Sequence, residues 1–539
     1  MEILKIEDLS FKYSSSEKET LKNISLGINE GEFTLICGET GSGKSTLLRL
    51  LKREISPLGE KTGRIFYKNT PLEDIDGRIA ARTIGYVGQS PEHQIVTDKV
   101  WHEIAFGLEE MGLPQSVMAA KVAEMASYFG IEEWFDKKVS ELSGGQKQLL
   151  CLASVMVMDP DILILDEPSA QLDPIAASDF FATVRKLNED FSLTVIIAEH
   201  RLEELFPICD RLVVLEGGRI AAMGEARSVV SSLCKSKWFF DAMPAAARLY
   251  HMLGKPGEIP LTIREGRRFI SENLPLSVRP GEHTEYKHSP AVALEYKKVY
   301  FRYGKDEKDV LNDISFKVYE NEIFCILGGN GSGKTTALGA AAGILNPYSG
   351  YIKVFGRKLK EYKNQSLYKN CLAMLPQDVQ TVFLRNTVRE ELIDAGADMG
   401  ALAFDISHLY DKHPYDLSGG EQQILALLKV LAQEPRLILM DEPTKGLDSG
   451  RRLEFIELLK KLKSMGLTAV IVTHDVEFAA LCADRCALFF RGSVATAATP
   501  ADFFSKNRFY TTAARRLTKG FFDGAVTLES VAGLFESRI

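Results

Sequence analysis

What this chain of 539 residues lacks already narrows its chemistry. No Cys-x-x-Cys pair occurs. The eight cysteines (Cys37, Cys151, Cys209, Cys234, Cys325, Cys371, Cys482 and Cys486) are scattered, so neither a zinc ribbon nor a disulfide framework is spelled out, and a reducing compartment, the cytosol, fits. Cys482 and Cys486 stand four apart, a spacing that places both on one helical face, and buried thiols account for them. No apolar run approaches the ~20 residues of a membrane-spanning helix; the longest, 149–158 and 337–345, reach about half of that, so the chain itself is expected not to cross a bilayer. Nor is there a basic excess. Lys plus Arg total 65 against 73 Asp plus Glu, a formal charge of −8, which argues against a chain built to neutralise a nucleic-acid backbone. The N-terminus alternates like a strand and lacks the basic start and apolar block of a secretory signal.

The chain does contain a repeat. Phe11-Lys-Tyr13 returns as Phe301-Arg-Tyr303, Leu142-Ser-Gly-Gly-Gln146 as Leu417-Ser-Gly-Gly-Glu421, and the Asp-Glu-Pro ending at Pro168 as the one ending at Pro443. The offset falls from 334 − 44 = 290 to 441 − 166 = 275, so the second copy is shorter, mostly before Ser418. Weak similarity between 245–265 and 513–529 extends the repeat into a tail. The expected division is a first domain at 1–271, a proline-containing linker at 272–290 and a second domain at 291–539. Fully extended, the linker spans at most about 60–70 Å, enough for the two copies to face each other head to tail.

In each copy a short β-prone run leads into a glycine-rich loop and then a helix-compatible segment. The first loop is Gly38, Glu39, Thr40, Gly41, Ser42, Gly43, Lys44 and Ser45, followed by Thr46. The second is Gly328, Gly329, Asn330, Gly331, Ser332, Gly333, Lys334 and Thr335, followed by Thr336. Glycines let the backbone N–H groups and the helix N-terminus point at phosphate oxygens. Lys44 or Lys334 adds a point charge for the β and γ phosphates, and Ser45 or Thr335 a hydroxyl for Mg²⁺. The runs 162–165 and 437–440 read as buried parallel strands that end in paired acids. Asp166 and Asp441 are placed to orient Mg²⁺ or its waters, and Glu167 and Glu442 to polarise the water that attacks the γ-phosphate. Ser143-Gly144-Gly145-Gln146 and Ser418-Gly419-Gly420-Glu421 fit a capping box, and a helix start with open donors is also an anion site; the two readings coexist.

A phosphate loop, a later Leu-Ser-Gly-Gly motif and a strand ending Asp-Glu-Pro, all present twice, resemble the ATP-binding subunits of ABC transporters over nearly the whole chain. The resemblance implies an α/β fold. It comprises two tandem ABC-type P-loop NTPase domains, each a mainly parallel sheet core with an antiparallel β subdomain and an α-helical subdomain. It further implies ATP and Mg²⁺ as ligands and an intramolecular dimer in which Lys44 shares a nucleotide with Ser418 and Gly420, and Lys334 with Ser143 and Gly145. Tyr13 and Tyr303 match the adenine-stacking aromatic, although a strand aromatic facing the core is the alternative. Gln89 and Gln377 match the glutamine that touches Mg²⁺ and links ATP to the membrane partner. His200 and His474 match the histidine that senses the γ-phosphate, and Asp173 and Asp448 the loop that crosses the dimer interface. Neither copy lacks a catalytic residue of the pattern, so two hydrolytic sites are expected.

Gln89-Ser-Pro-Glu-His-Gln94, Ala105-Phe-Gly-Leu108 and Gln171-Leu-Asp-Pro174 look like the ATPases of energy-coupling factor importers. That likeness implies a peripheral protein on the cytoplasmic face of the cell membrane, driving a transmembrane coupling protein and a substrate-binding membrane subunit for vitamins or metal ions. Val100, Trp101, Ile104 and Leu108 form a stripe that either packs inward or receives a partner helix. The rival readings are a fused ATPase of a sugar-type importer, which would be expected to carry one altered site, and a soluble ABC ATPase acting on ribosomes, which would be expected to have a long charged linker.

Overall fold

The computed structural model describes residues 1–536 except 15, 201, 255, 274–287, 364–365, 509 and 523. Most of the expected linker therefore lies outside the described residues. The chain divides into two compact units, Met1–Ala247 and Arg248–Ile539.

The first unit contains two sheets. One is antiparallel, in the order β2-β1-β4-β5, from β1 (Glu2–Tyr13), β2 (Leu21–Asn29), β4 (Gly59–Tyr67) and β5 (Thr70–Pro71). The other is built from β3 (Phe33–Gly38), β6 (Ile84–Val87), β7 (Ile162–Asp166), β8 (Thr194–Ala198), β9 (Arg211–Glu216) and β10 (Arg219–Gly224), in the order β10-β9-β3-β8-β7-β6. Only the β9–β10 pair of this sheet is antiparallel. Both faces of the parallel part are covered, so β3, β7 and β8 are apolar along their length rather than alternating.

Helix Lys44–Leu50 lies between the sheets: its Leu47, Leu48 and Leu50 join one buried cluster with Ile36, Ile164 and Ile196 of the parallel sheet and Leu4, Ile6 and Leu26 of the antiparallel one. Each fully buried leucine of this kind contributes about 1.5–3 kcal/mol, and together they fix the N-terminus of the helix at the end of β3.

The second unit repeats the plan. Strands β11 (Val292–Phe301), β12 (Leu311–Tyr319), β14 (Ser349–Val354) and β15 (Arg357–Lys358) pair in the order β12-β11-β14-β15. Strands β13 (Ile323–Leu327), β16 (Leu372–Leu375), β17 (Leu437–Asp441), β18 (Thr468–Val472), β19 (Arg485–Phe490) and β20 (Ser493–Ala498) pair in the order β16-β17-β18-β13-β19-β20. Each unit thus has the expected parallel core, antiparallel subdomain and helical subdomain.

The shortening of the second copy falls in its helical part. Helix Val100–Glu110 is followed by helix Gln115–Tyr128 in the first unit, whereas Val388–Asp394 leads through short turns to helix Gly419–Leu431 with no counterpart of Gln115–Tyr128. Cys482 and Cys486 are buried thiols as read from the sequence, and Cys486 sits opposite Cys325 in the β13–β19 register. Helix Ile263–Asn273 packs on helix Ala513–Thr518 within the second unit, where Arg267 donates to the carbonyl of Arg516 at 3.1 Å.

Candidate nucleotide-hydrolysis sites

In the first unit, β6, β7, β8 and β3 lie side by side and parallel, so the residues that follow their C-terminal ends meet along one rim. That rim carries Gln89, then Asp166 and Glu167, then His200, then the glycine-rich loop. Ligands of open parallel sheets bind at this end.

The loops show why glycine is required at particular positions. Gly43 and Gly333 cap helices Lys44–Leu50 and Lys334–Ala341 with φ of 99° and 96°, and a Cβ would stand 2.7 Å from Leu21 Cδ2 in the first and 2.8 Å from the Val310 carbonyl oxygen in the second. Lys44 Nζ donates to the carbonyls of Gly38 and Glu39 at 2.9 and 3.0 Å, and Lys334 Nζ to those of Gly328 and Gly329 at 2.9 and 3.0 Å. Both ammonium groups are buried at a helix N-terminus, a place whose dipole favours a bound anion. The buried hydroxyls of Ser42 and Ser332, which have no hydrogen-bond partner among the described residues, line the same loops.

The glutamates that end the two Asp-Glu pairs sit in an unusual backbone state. Glu167 and Glu442 both have positive φ, 48° and 50°, a conformation costing about 1–3 kcal/mol that is held by Glu167 N–H on the Ala198 carbonyl and Glu442 N–H on the Val472 carbonyl, each at 2.9 Å. Each carboxylate is paired with its histidine: His200 Nε2 lies 2.9 Å from Glu167 Oε1, and His474 Nδ1 2.9 Å from Glu442 Oε2. Burial pushes the Glu167 carboxyl up, but the hydrogen bond and charge of His200 and the charge of Lys44 outweigh it, and its pKa is lowered overall. Gln89 Nε2 donates to Glu167 Oε2 at 3.1 Å. Gln377, exposed on its loop, forms no such bond to Glu442 among the described residues.

The two acids at the ends of β7 and β17 differ. Asp166 accepts from Ser45 Oγ and from Tyr86 Oη, each at 2.8 Å, and burial still raises its pKa. In the β16–β17 register Met374 takes the place of Tyr86, and both carboxylate oxygens of Asp441 are buried without a well-aligned hydrogen bond. Burial raises Asp441 to about 6 against the opposing pull of the neighbouring Thr335 hydroxyl. A buried carboxylate with orphaned oxygens beside a threonine hydroxyl fits an oxygen-seeking divalent cation such as Mg²⁺.

The remaining expected residues are placed as follows. Tyr13 and Tyr303 bond Thr46 and Thr336 through their hydroxyls at 2.9 and 3.1 Å, and Tyr303 is 62% exposed, so its ring does not face the core. Ser143 and Ser418 cap helices Gly144–Met156 and Gly419–Leu431 in full capping boxes with Gln146 and Glu421, leaving the Gly144–Gly145 and Gly419–Gly420 amides at the helix starts. Asp173 and Asp448 cap the helices Pro174–Phe191 and Ser449–Ser464. Val100, Ile104 and Leu108 are buried, so the stripe is core, and Trp101 stacks on His102 at its edge.

Two side chains were not read from the sequence, and of a third, Gln94, only the motif and not the bonding was read. Tyr86 holds Asp166, and Glu199, a buried acid beside His200, accepts from the amides of Ser169 at 2.8 Å and of His200 at 2.9 Å. Neither is repeated, since Met374 and Thr473 take their places, so the repeat gave no signal. Gln94 ties the Gln89 loop down, its amide bonded to Gly88 N–H and to the Tyr86 carbonyl, each at 2.9 Å.

Twin phosphate loops, each facing an acid pair and a histidine across one sheet rim, are the mark of a nucleoside-triphosphate hydrolase. The ABC transporter family model matches residues 21–170 and 311–445, and the chain belongs to that family as an ATP-binding ATPase. It is similar to a Bacillus anthracis protein named "Putative ABC transporter ATP-binding protein", 36% identical over 98% of this chain and 97% of that one. It is also similar to a Bacillus subtilis protein named "Putative HMP/thiamine import ATP-binding protein", 30% identical over 94% of this chain and 93% of that one. Among solved structures, an archaeal ribosome recycling factor, aABCE1, in complex with a stalk protein shares the fold with a TM-score of 0.58 at 21% identity, covering 92% of this chain and 90% of its own.

Proposed function

We propose that the chain is the energy-coupling ATPase of an importer of the energy-coupling factor type, taking up a vitamin or a metal ion. Each Mg-ATP is bound by one unit's phosphate loop and closed over by the other unit's Ser-Gly-Gly motif, Lys44 working with Ser418 and Gly420, and Lys334 with Ser143 and Gly145. Glu167 and Glu442 orient and polarise the attacking water, and His200 and His474 hold those carboxylates and contact the γ-phosphate. Ser45, Thr335, Asp166 and Asp441, with Gln89 and Gln377, would hold Mg²⁺, which when bound supplies charge stabilisation to the β and γ phosphates. The two domains, 1–271 and 291–539, close on ATP and reopen after hydrolysis, and the glutamine loops pass that motion to a transmembrane coupling protein carrying a substrate-binding subunit. The work comes from the difference in nucleotide affinity between closed and open states.

The observation that carries this reading is the intact Glu–His pair behind both phosphate loops, which supports two working sites rather than one altered site. The similarity to the thiamine-import ATPase over 93% of its length supports the vitamin class. Among the described residues no helix is long and apolar enough to cross a membrane, consistent with a separate membrane partner. The test is to purify the tagged chain from detergent-solubilised membranes of its own cells and identify the integral proteins bound to it. The proposal expects small polytopic proteins whose presence raises ATP turnover; ribosomes in their place would overturn it.

A further inference from the structure

Both units contain a buried carboxylate that the hydrolysis chemistry does not use. Glu103 and Glu391 lie on the inward faces of helices Val100–Glu110 and Val388–Asp394, at equivalent places in the repeat (391 − 103 and 377 − 89 are both 288). Each is 6% exposed or less. An acid on the apolar face of a helix is costly unless hydrogen bonds repay its desolvation, and here they come from the loop that starts at Gln89 or Gln377.

Glu103 Oε2 accepts the consecutive amides of Val96 at 3.1 Å and Thr97 at 2.8 Å. Glu391 Oε1 accepts those of Leu384 and Arg385, while its Oε2 pairs with Lys429 Nζ, which also donates to the Val382 carbonyl at 2.7 Å. The residue at the head of each tether is apolar and turned to solvent: Val96 is 69% exposed and Leu384 75%. The near end of the first loop touches the hydrolytic acid through the Gln89–Glu167 bond.

We infer that Glu103 and Glu391 are positioning residues that clamp the far ends of the two glutamine loops, so that Val96 and Leu384 are presented as apolar knobs to the transmembrane partner. This rests on the importer reading above. The first loop, bonded at one end to Glu167 and at the other to a buried carboxylate, transmits displacement, whereas a loop with a free end absorbs it; the second is clamped at its far end. The clamps are not equal. Position 154, opposite Lys429 in the repeat, is serine, so a lysine that pairs with the clamping carboxylate is present at Glu391 and has no counterpart at Glu103.

The test compares Glu103→Leu with Glu103→Gln in the full chain, alone and in the complex purified from its own membranes. Glutamine keeps one acceptor oxygen for both amides; leucine keeps none. Glu103→Leu is expected to speed hydrogen exchange at the Val96 and Thr97 amides at least tenfold, to leave kcat and KM for ATP of the isolated chain within twofold, and to cut the membrane-complex turnover at least tenfold. Glu103→Gln is expected to restore all three toward wild type. Should Glu103→Leu fail to fold, Val96→Asp and Leu384→Asp, both at solvent, are expected to lose the complex-dependent turnover while the isolated chain is unchanged. Unaltered exchange in Glu103→Leu, equal loss in the leucine and glutamine variants, or full complex-dependent turnover in the aspartate variants overturns the inference. A wild-type complex that shows no stimulated turnover instead overturns the importer reading itself.

Discussion

His474 meets Glu442 through Nδ1, whereas His200 meets Glu167 through Nε2, and both contacts are 2.9 Å long. The same pair is thus made with opposite ring nitrogens. In the first unit the His200 backbone is drawn toward Glu199, which takes its amide; in the second, position 473 is threonine and the His474 amide points at Glu442 itself, 3.4 Å from Oε2. Two sites of one design therefore differ in their hydrogen-bonded surroundings, and their pH responses are expected to differ.

The clearest difference is at Asp441. Its carboxyl, at about 6 in the folded chain against 3.8 for the ordinary value, binds its proton more tightly when folded. Its contribution to stability is therefore complete below pH 3.8 and lost as pH rises through about 6. Without nucleotide, Asp441→Asn is expected to be more stable than wild type at pH 8 by about 2–3 kcal/mol, with the gap closing as pH falls through 6, as followed by calorimetry of the second unit's transition. Mg-ATP binding at this site should weaken below about pH 6, where the proton competes with the cation.

Burial raises Asp166 as well, but Tyr86 opposes it with a bond that Asp441 has no counterpart for. The Tyr86 hydroxyl donates to Asp166 Oδ2 at 2.8 Å, and hydrogen bonding to the charged form favours ionisation. Tyr86→Phe is expected to raise the pH midpoint of Mg-dependent nucleotide binding at the first site toward that of the second. Measuring it in a Lys334→Ala background isolates the first site, and an unmoved midpoint would remove Tyr86 from this role.

Lys44→Ala is expected to abolish nucleotide binding at the first phosphate loop and leave the second, so that equilibrium dialysis counts one nucleotide per chain instead of two. Each lysine bonds the carbonyls of its own loop. Loss of all binding in this variant would contradict separate loops.

Much of this was legible in the sequence because both chemistry and repetition fix it. The glycine loops, the strand-end acids and the capping boxes each demand particular residue types at short spacing, and the structure puts them on the expected strand, loop and helix boundaries. Residues used in only one copy escaped: Tyr86 reaches Asp166 across adjacent strands 80 positions away in sequence. The Val100 stripe was ambiguous because periodicity says which side chains share a face, not what covers it; packing in the helical subdomain resolved it as core. Glu103 and Glu391 did leave a signal, an acid on the apolar face of both copies of one helix. The positive φ of Glu167 and Glu442 left none, since it is imposed by neighbouring strands rather than by local sequence.

The central claim is that both phosphate loops belong to working hydrolytic sites with Glu167 and Glu442 as their general bases. It is tested most directly by the chain carrying Glu167→Gln and Glu442→Gln together, with bound ATP counted by equilibrium dialysis and phosphate release followed in the same preparation. Loss of a general base of this kind typically costs about 10²–10⁴-fold in rate. The account predicts two ATP retained per chain and phosphate release reduced at least a hundredfold. Hydrolysis near the wild-type rate, or a single nucleotide per chain, would contradict it.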